Sequence, residues 1–300
     1  MPLREKTMPS VPFKQVDVFT NVPYQGNPVA VVLDAQDLSD EQMQRIANWT
    51  NLSETTFVLP ATQARADYRV RIFTPHSELP FAGHPTLGTA HALLEAGKIT
   101  PKDGALIQEC AAGLIPLTVT ESDAASPVIA FTLPQPKLVA LTGEQIVELE
   151  AILGAPVRRD PAPQFIDVGP VWTIVQLDSA ASVLALRPDF ARMAAFDKRN
   201  AATGVVVFGP HDKGSLSAIE VRAFAPSIGV NEDPVCGSGN GAVAAFIRDA
   251  GQIQTFGNRF LSAQGAAVGR AGNIAVTFDG EDVIRIGGQS VTCVDGSIVV

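Results

Sequence analysis

The chain has 300 residues, of which 46% are apolar and 18% charged, so it can bury a sizeable hydrophobic core and is not disordered throughout. Its 31 acidic and 22 basic residues leave a net charge of −9, which disfavours binding to nucleic acid or to an anionic membrane. The first 14 residues lack the apolar core of a signal peptide, and no stretch approaches the roughly 18 consecutive apolar residues of a spanning helix, so we expect a soluble, cytoplasmic protein.

The first half of the chain predicts several strands and two helices. Residues 1–10 are expected to form a loose tail. Apolar alternation and short apolar runs predict strands at residues 15–19, 28–33, 55–59 and 67–74, with further strands up to residue 133. A capping box formed by Ser39 and Gln42 predicts a helix that runs to about Thr50. A second helix, built from small residues, is predicted from about Thr86 to residue 96, where Gly97 ends it.

The second half repeats this order of elements. A capped helix is predicted from Thr142 to residue 153, where Gly154 ends it, and another from about residue 189 to residue 200. Strands are predicted near Phe165 and Trp172 and at residues 205–208 and 217–225. A second helix of small residues follows at residues 239–250.

The residues themselves also repeat. Val-Arg-Ile-Phe-Thr-Pro at residues 70–75 matches Val-Arg-Ala-Phe-Ala-Pro at residues 221–226, an offset of 151 positions. After a three-residue insertion the match continues at an offset of 154, and residues 78–85 align with residues 232–239. The same strand, turn and helix at a fixed offset indicate a duplication. We predict two similar domains, residues 11–126 and 127–300, joined near residues 121–127.

Each half has a glycine-containing turn where its helix of small residues begins. These turns lie at residues 83–86 and 237–241. Free backbone N–H groups and the positive end of a helix dipole favour a bound carboxylate or a developing enolate. The small residues of the helices themselves are explained by packing, because a helix enclosed by a curled sheet needs small side chains.

The positions where the repeat is broken are the candidates for chemistry. Glu54 aligns with Val205, Asp233 with Leu79, His84 with Ser238, and Cys236 with Ala82, so the polar members are shared between the halves. This distribution is expected if one active site lies between the two domains.

Each of these residues has a structural and a chemical interpretation. Burial in a closed cleft would raise the pKa of Glu54 and suit it to general acid/base work, whereas an exposed carboxylate at a strand start would have no such role. His84 is either a capping residue or a neutral donor or acceptor at a helix start. Asp233 is either a turn former or an orienter of His84 or of a substrate amine or hydroxyl group. Cys236 would have a depressed pKa if exposed, and is otherwise a small buried residue.

The sequence does not predict a metal or nucleotide site. It has no HxH or HExxH spacing, and its three cysteines have no CxxC spacing. The glycine-rich segment at residues 237–241 has no following Lys-Ser or Lys-Thr, so it is not a phosphate-binding Walker loop. We therefore predict no metal ion and no phosphate-binding loop of this kind.

Five segments together resemble the phenazine-biosynthesis PhzF-like family. They are Val-Asp-Val-Phe-Thr at residues 16–20, Gly-Asn-Pro-Val-Ala-Val at 26–31, Asn-Leu-Ser-Glu-Thr at 51–55, Ala-Gly-His-Pro-Thr at 82–86 and Glu-Asp-Pro-Val-Cys-Gly-Ser-Gly at 232–239. Their order and spacing agree from about residue 13 to the C-terminus. The resemblance implies a diaminopimelate epimerase-like α+β fold, with two pseudo-symmetric domains that each wrap a curled mixed sheet around a central helix.

The resemblance also implies a function. It suggests a cofactor-independent isomerase, commonly a homodimer, that moves a proton on a small carboxylate-bearing cyclic or amino-acid-like substrate. By the same resemblance, Glu54 is the acid/base, and His84 and Asp233 bind and orient the substrate. The neighbouring residues Ser53, Gly83, Cys236, Gly237 and Ser238 are then expected to contact substrate.

Two departures from related enzymes keep alternatives open. The epimerase and racemase relatives place a cysteine at each paired turn, whereas here Ala82 stands at the first and Cys236 at the second, which argues against a two-thiol mechanism. Cys236 also departs from the phenazine enzyme's own motif, so one thiol could act together with one carboxylate as an epimerase-like pair of bases. The third possibility is a non-catalytic metabolite-binding protein that keeps the fold.

Overall fold

The structure is a computed structural model that describes residues 10–121, 126–280 and 282–300. Most of the predicted N-terminal tail and the centre of the predicted linker, residues 122–125, lie outside the described residues. The chain forms two compact units. Among the described residues, unit 1 comprises those within Met1–Tyr24, Pro28–Ile129 and Gln289–Val300, and unit 2 comprises those within Gln25–Asn27 and Ala130–Gly288. The domain boundary predicted between residues 126 and 127 stays a prediction.

The described residues form eighteen strands and seven α-helices. The helices are α1 (Asp40–Thr50), α2 (Gly83–Glu95), α3 (Gly143–Leu153), α4 (Ala180–Ala185), α5 (Phe190–Arg199), α6 (Gly237–Asp249) and α7 (Ile253–Phe256). The strands are β1 (Ser10–Val18), β2 (Asn27–Val32), β3 (Glu54–Leu59), β4 (Tyr68–Phe73), β5 (Glu78–Leu79), β6 (Ala105–Cys110), β7 (Gly113–Thr120), β8 (Val128–Thr132), β9 (Lys137–Ala140), β10 (Gln164–Asp167), β11 (Val171–Gln176), β12 (Gly204–Pro210), β13 (Ile219–Ala225), β14 (Val230–Asp233), β15 (Arg259–Gln264), β16 (Gly272–Asp279), β17 (Val283–Gly288) and β18 (Ser290–Val299).

Unit 1 is a mixed sheet that encloses α2. Strand β18 pairs antiparallel with β1, β2 pairs parallel with β3, and β3 pairs antiparallel with β4. Strand β4 pairs parallel with β6, which pairs antiparallel with β7, and the two-residue β5 pairs with β4. Helix α2 packs against β1, β3 and β18, and its first eleven residues are all buried. The last strand, whose position the sequence left open, therefore belongs to the sheet of unit 1.

Unit 2 repeats this arrangement around α6. Strand β10 pairs antiparallel with β9 and with β11, β11 pairs parallel with β12, and β12 pairs antiparallel with β13. Strand β13 pairs parallel with β15, and the sheet continues antiparallel through β16 to β17. Helix α6 packs against strands β10, β11, β12, β16 and β17. The predicted fold class, an α+β protein with curled mixed sheets around central helices, is confirmed.

The duplication is visible in the element bounds. Helices α2 and α6 are both 13 residues long, and Gly83 and Gly237, which begin them, are 154 positions apart. Both helices start earlier than the sequence predicted, by three and two residues. Proline is tolerated in a first helical turn, and the Cys236 side chain, rather than a later residue, caps α6. His84 and Ser238 therefore lie within the first turns of α2 and α6.

Capping residues mark the ends of α1 and α3. The predicted capping boxes at Ser39 and Thr142 are both present, and Gly154 ends α3 with a left-handed conformation (φ 68°). Short helices α4 and α7 were not predicted, since four to six residues are too few to show a helical period.

Close packing explains one glycine of α2. A Cβ atom added to Gly88 would lie 2.4 Å from Val29 Cγ1 and 2.9 Å from Val18 Cγ2, so the helix touches the surrounding strands at that point. Only a residue without a side chain fits there.

Among the described residues, no helix combines the length and the apolar character needed to cross a membrane.

Candidate active site

Glu54 is placed by the abrupt end of α1. Asn51 caps that helix in a left-handed conformation (φ 54°), and its backbone N–H donates to the Ala47 carbonyl at 3.3 Å. Asparagine tolerates this conformation better than most residues. The chain then turns within two residues into β3, whose first residue is Glu54, paired in parallel register with Val29. Across the turn, the Thr50 and Thr55 hydroxyls lie 2.8 Å apart.

The Glu54 carboxyl group is nearly removed from solvent. Its side chain is 15% exposed, and its Oε2 atom makes no hydrogen bond with any described residue. Burial raises the pKa of Glu54 to about 7, even though a hydrogen bond from the Ser53 side chain acts in the opposite direction. The carboxyl group therefore exists in both protonation states near neutral pH, as a general acid/base requires.

His84 lies beside Glu54. It is the second residue of α2, is 7% exposed, and its Nε2 atom is 3.3 Å from Glu54 Oε2. The structure thus brings together two of the three predicted catalytic residues, 30 positions apart in the sequence, as a buried Glu54–His84 pair within unit 1.

Asp233 lies in unit 2, at the end of β14, and is held by hydrogen bonds. Its Oδ1 atom accepts from Asn27 Nδ2 and from the Val235 backbone N–H, both at 3.0 Å. Its backbone carbonyl accepts from Gln264 Nε2 at 2.8 Å. The bond from the N–H two residues on is that of an Asx turn, so Asp233 forms the turn that precedes α6, and its role as an orienting residue stays a prediction.

Cys236 is a buried cap of α6. Its Sγ atom accepts from the Gly239 N–H at 3.3 Å, and the residue is only 4% exposed. Burial and the nearby Asp233 carboxylate raise the pKa of the Cys236 thiol well above its ordinary value. This is opposite to the shift expected for an exposed cysteine at a helix start, because desolvation of the thiolate outweighs the helix dipole here.

The remaining predicted contact residues occupy the two helix starts. Gly83 and Gly237 are the first residues of α2 and α6, and both are buried. Ser238 follows Gly237, and its hydroxyl accepts from the Trp172 indole N–H at 3.1 Å. Ser53 contacts Glu54, as described above. Each of these predicted contact residues thus lies at a helix start or beside the Glu54 carboxylate.

Three residues near these groups were not assigned a role from the sequence. Asn27 and Gln264 hold Asp233, and Trp172 holds Ser238. Asn27 belongs to one of the segments that carry the family resemblance, which is a signal that could have found it. Gln264 and Trp172 lie within ordinary strand patterns and carry no such signal. In the part of the chain that the structure describes, no group of three or more His, Cys, Asp or Glu side chains could hold a metal ion.

Known proteins are similar to this chain over nearly its whole length. The family model "Phenazine biosynthesis-like protein" matches residues 16–296. Antisense-enhancing sequence 1 of Schizosaccharomyces pombe is 45% identical, over 95% of this chain and 97% of that protein. Trans-2,3-dihydro-3-hydroxyanthranilate isomerase of Pseudomonas aeruginosa is 37% identical, over 94% of this chain and 96% of that protein.

Solved structures show the same fold. The Bacillus anthracis phenazine biosynthesis protein of the PhzF family superposes with a TM-score of 0.86 at 26% identity, over 98% of this chain and all of that one. The family model covers nearly the whole chain, and relatives of the same length are named isomerases. The chain therefore belongs to the phenazine biosynthesis-like (PhzF) family and is an isomerase.

Proposed function

We propose that the protein is a cofactor-independent isomerase that moves a proton on a small carboxylate-bearing cyclic or amino-acid-like substrate, with Glu54 as the acid/base. One observation carries the proposal. The Glu54 carboxyl group is buried with a pKa of about 7, and its Oε2 atom has no hydrogen bond among the described residues. An oxygen in that state is available to a proton on a substrate carbon.

The reaction would proceed in two proton transfers. Glu54 as the carboxylate takes a proton from one carbon of the substrate and, as the carboxylic acid, returns it to another. The electron pair left behind is delocalised toward the substrate carboxylate or an adjacent double bond. His84, whose Nε2 atom lies 3.3 Å from Glu54 Oε2, would position a polar substrate atom beside the carboxyl group. No redox step occurs, so the proposed reaction requires no redox cofactor.

In unit 2, Asp233 would orient a substrate amine or hydroxyl group. Its carboxylate is fixed by Asn27 and by the Val235 N–H, so it presents a set direction. The starts of α2 and α6, with Gly83, Gly237 and Ser238, would stabilise the negative charge that develops as the proton leaves. A well-placed backbone donor contributes about 3 to 4 kcal/mol to such a transition state.

The thiol alternative has less support. A base must be deprotonated to act, and burial raises the pKa of Cys236 well above its ordinary value while the Gly239 N–H already donates to the sulfur. A non-catalytic binder is also less well supported, because the buried Glu54 carboxyl group lies beside His84, an arrangement that proton transfer uses and binding alone does not need.

Proton exchange tests the proposal directly. The wild type and Glu54→Gln are incubated in D₂O with a panel of small amino and hydroxy acids, including trans-2,3-dihydro-3-hydroxyanthranilate, the substrate named for the Pseudomonas relatives. Deuterium uptake by mass spectrometry is expected with the wild type and not with Glu54→Gln. Uptake that persists in Glu54→Gln would refute the role of Glu54, and uptake lost in Cys236→Ala alone would favour the thiol.

The resemblance also leads us to propose that the enzyme is a homodimer. Multi-angle light scattering of the purified chain is expected to give twice the monomer mass. A monomer that still exchanges substrate protons would show that each chain is active alone.

A further inference from the structure

An arginine–glutamate pair in unit 1 ties β4 to β5. Arg71 on β4 donates from Nε and Nη2 to the two oxygens of Glu78 on β5, both at 2.7 Å. The Arg71 guanidinium also lies over the ring of Phe73, with its Cζ 5.1 Å from the ring centroid. A bidentate bond fixes the carboxylate in the plane of the guanidinium, and the ring fixes that plane. Glu78 is therefore held in two directions.

Unit 2 contains the same arrangement. Arg222 on β13 donates from Nε and Nη2 to Glu232 on β14, at 2.9 and 2.8 Å, and its Cζ lies 4.9 Å from the centroid of Phe224. The arginines and the phenylalanines are each 151 positions apart, and the glutamates are 154 apart. These are the two offsets of the sequence repeat. The geometry of the pair has therefore been kept in both copies, although the residues of the proposed chemistry have diverged.

Stability alone does not account for keeping both pairs. The Arg71 and Glu78 side chains are 24% and 34% exposed, and exposed ion pairs contribute little to stability. The Arg222 and Glu232 side chains are 6% and 10% exposed, so the second pair is buried. Because the pair occurs in two such different environments, we look for a role in positioning the neighbouring chain that both pairs could have.

Each glutamate begins a chain segment that leads to a proposed site residue. Strand β5 has only two residues, paired with Ile72 and Phe73, so its backbone contacts with β4 are few. The chain continues from Glu78 through four residues to α2, where His84 lies in the first turn. In unit 2, Glu232 directly precedes Asp233, and the register of β14 on β13 is irregular at this point. Each pair thus holds the start of a segment that carries a proposed site residue.

We propose that Arg71 and Arg222 are positioning residues, which, through Glu78 and Glu232, set the placement of His84 and Asp233. The inference rests on the proposed function for its link to catalysis. The second contacts of the two arginines differ, because Arg71 also binds Asp40 of α1, whereas Arg222 donates to the carbonyls of Val183 and Leu186. The bidentate hydrogen bond from arginine to glutamate is the contact that both units share.

The exposed pair of unit 1 offers the cleaner test, because its loss should leave the fold intact. Glu78→Gln removes the negative charge of the carboxylate. Arg71→Lys keeps the positive charge but loses both the bidentate hydrogen bond to Glu78 and the guanidinium contact with the Phe73 ring. The matched control is Asp34→Asn, which neutralises the acid of another exposed ion pair of unit 1, Lys98–Asp34 at 2.9 Å. The Lys98–Asp34 pair includes no residue of the proposed site.

Two measurements on the intact chain are compared. The first is the NMR spectrum of the His84 ring in the absence of substrate, which does not depend on activity. The second is the rate of proton exchange with a substrate found in the D₂O panel. We expect shifted His84 signals and a kcat at least about tenfold lower in Glu78→Gln and Arg71→Lys, with melting temperatures within about 2–4 °C of Asp34→Asn.

The outcomes separate the two proposals. His84 signals and kcat that match those of Asp34→Asn would overturn the positioning role. A loss of activity that follows the melting temperature in all three variants would also overturn it, since the pair would then be only structural. If the wild type exchanges no proton from any substrate, the proposed function fails, and the His84 signals alone decide whether the pair positions that ring.

Discussion

Replacing Glu54 by Gln should remove the activity and at the same time stabilise the protein at alkaline pH. Gln has nearly the same shape as a protonated Glu but cannot ionise. Above pH 7 the native wild type must carry a buried carboxylate, and the variant avoids that cost. The two effects have opposite signs, which makes this substitution more informative than one that only inactivates.

The size and the pH range of the effect follow from the pKa. A folded-state pKa of about 7 against an ordinary 4.5, at about 1.36 kcal/mol for each pH unit, corresponds to about 3 kcal/mol. Because the folded pKa is the higher one, the folded state binds more protons between these values. The Glu54 contribution to stability is therefore present below pH 4.5 and is lost as the pH rises through 7.

The assay is chemical denaturation of the wild type and Glu54→Gln at pH 4 and pH 8. We expect similar free energies of unfolding at pH 4 and a variant more stable by about 3 kcal/mol at pH 8. In the same preparations, kcat/KM of the wild type should rise with pH through about 7, as Glu54 loses its proton, and the variant should be inactive at both pH values.

Asp197 provides a matched control. It is fully buried in unit 2, neither carboxylate oxygen has a hydrogen-bond partner among the described residues, and burial raises its pKa to about 7. Asp197→Asn should therefore also stabilise the protein at pH 8 but keep its activity. If Glu54→Gln is less stable than the wild type at pH 8, the assignment of Glu54 as a buried carboxylate is refuted. If Asp197→Asn is as inactive as Glu54→Gln, the loss of activity no longer singles out Glu54.

Four further substitutions have defined outcomes. Glu109 accepts hydrogen bonds from the Thr62 and Gln63 backbone N–H groups, which lower its pKa, so Glu109→Gln should destabilise the protein at pH 7 by about 1–3 kcal/mol in denaturation, and an unchanged midpoint would contradict this. Gly88→Ala should cost about 1–3 kcal/mol because its methyl group would overlap Val29, and a neutral result would show that the strands can move apart. Cys236→Ala should retain proton exchange and resist iodoacetamide, and an inactive variant with an intact fold would revive the thiol mechanism. Thr142→Ala should lower the free energy of unfolding by about 1 kcal/mol, because α3 loses its N-terminal cap, and an unchanged free energy in chemical denaturation would contradict this.

Much of the fold was predictable because its signals are local. The capping boxes at Ser39 and Thr142 marked the starts of α1 and α3, and the 154-residue offset marked α2 and α6 as equivalent helices. The departures from the repeat also singled out Glu54 and His84, which the structure places 3.3 Å apart. A capping box or a repeat depends on residues close together or at a constant spacing, so the sequence alone contains it.

Contacts between distant residues and the pKa values of buried groups could be learned only from the tertiary structure. Asp233 is held by Asn27, 206 positions earlier in the chain, and the sequence contains no rule for that contact. The pKa of Glu54 near 7 and the raised pKa of Cys236 result from desolvation, which is set by everything packed around each group. The sequence singled out the residues that we propose carry the chemistry, and only the packing of the sheets around α2 and α6 determined the pKa of Glu54 and of Cys236, because burial is a property of the folded chain.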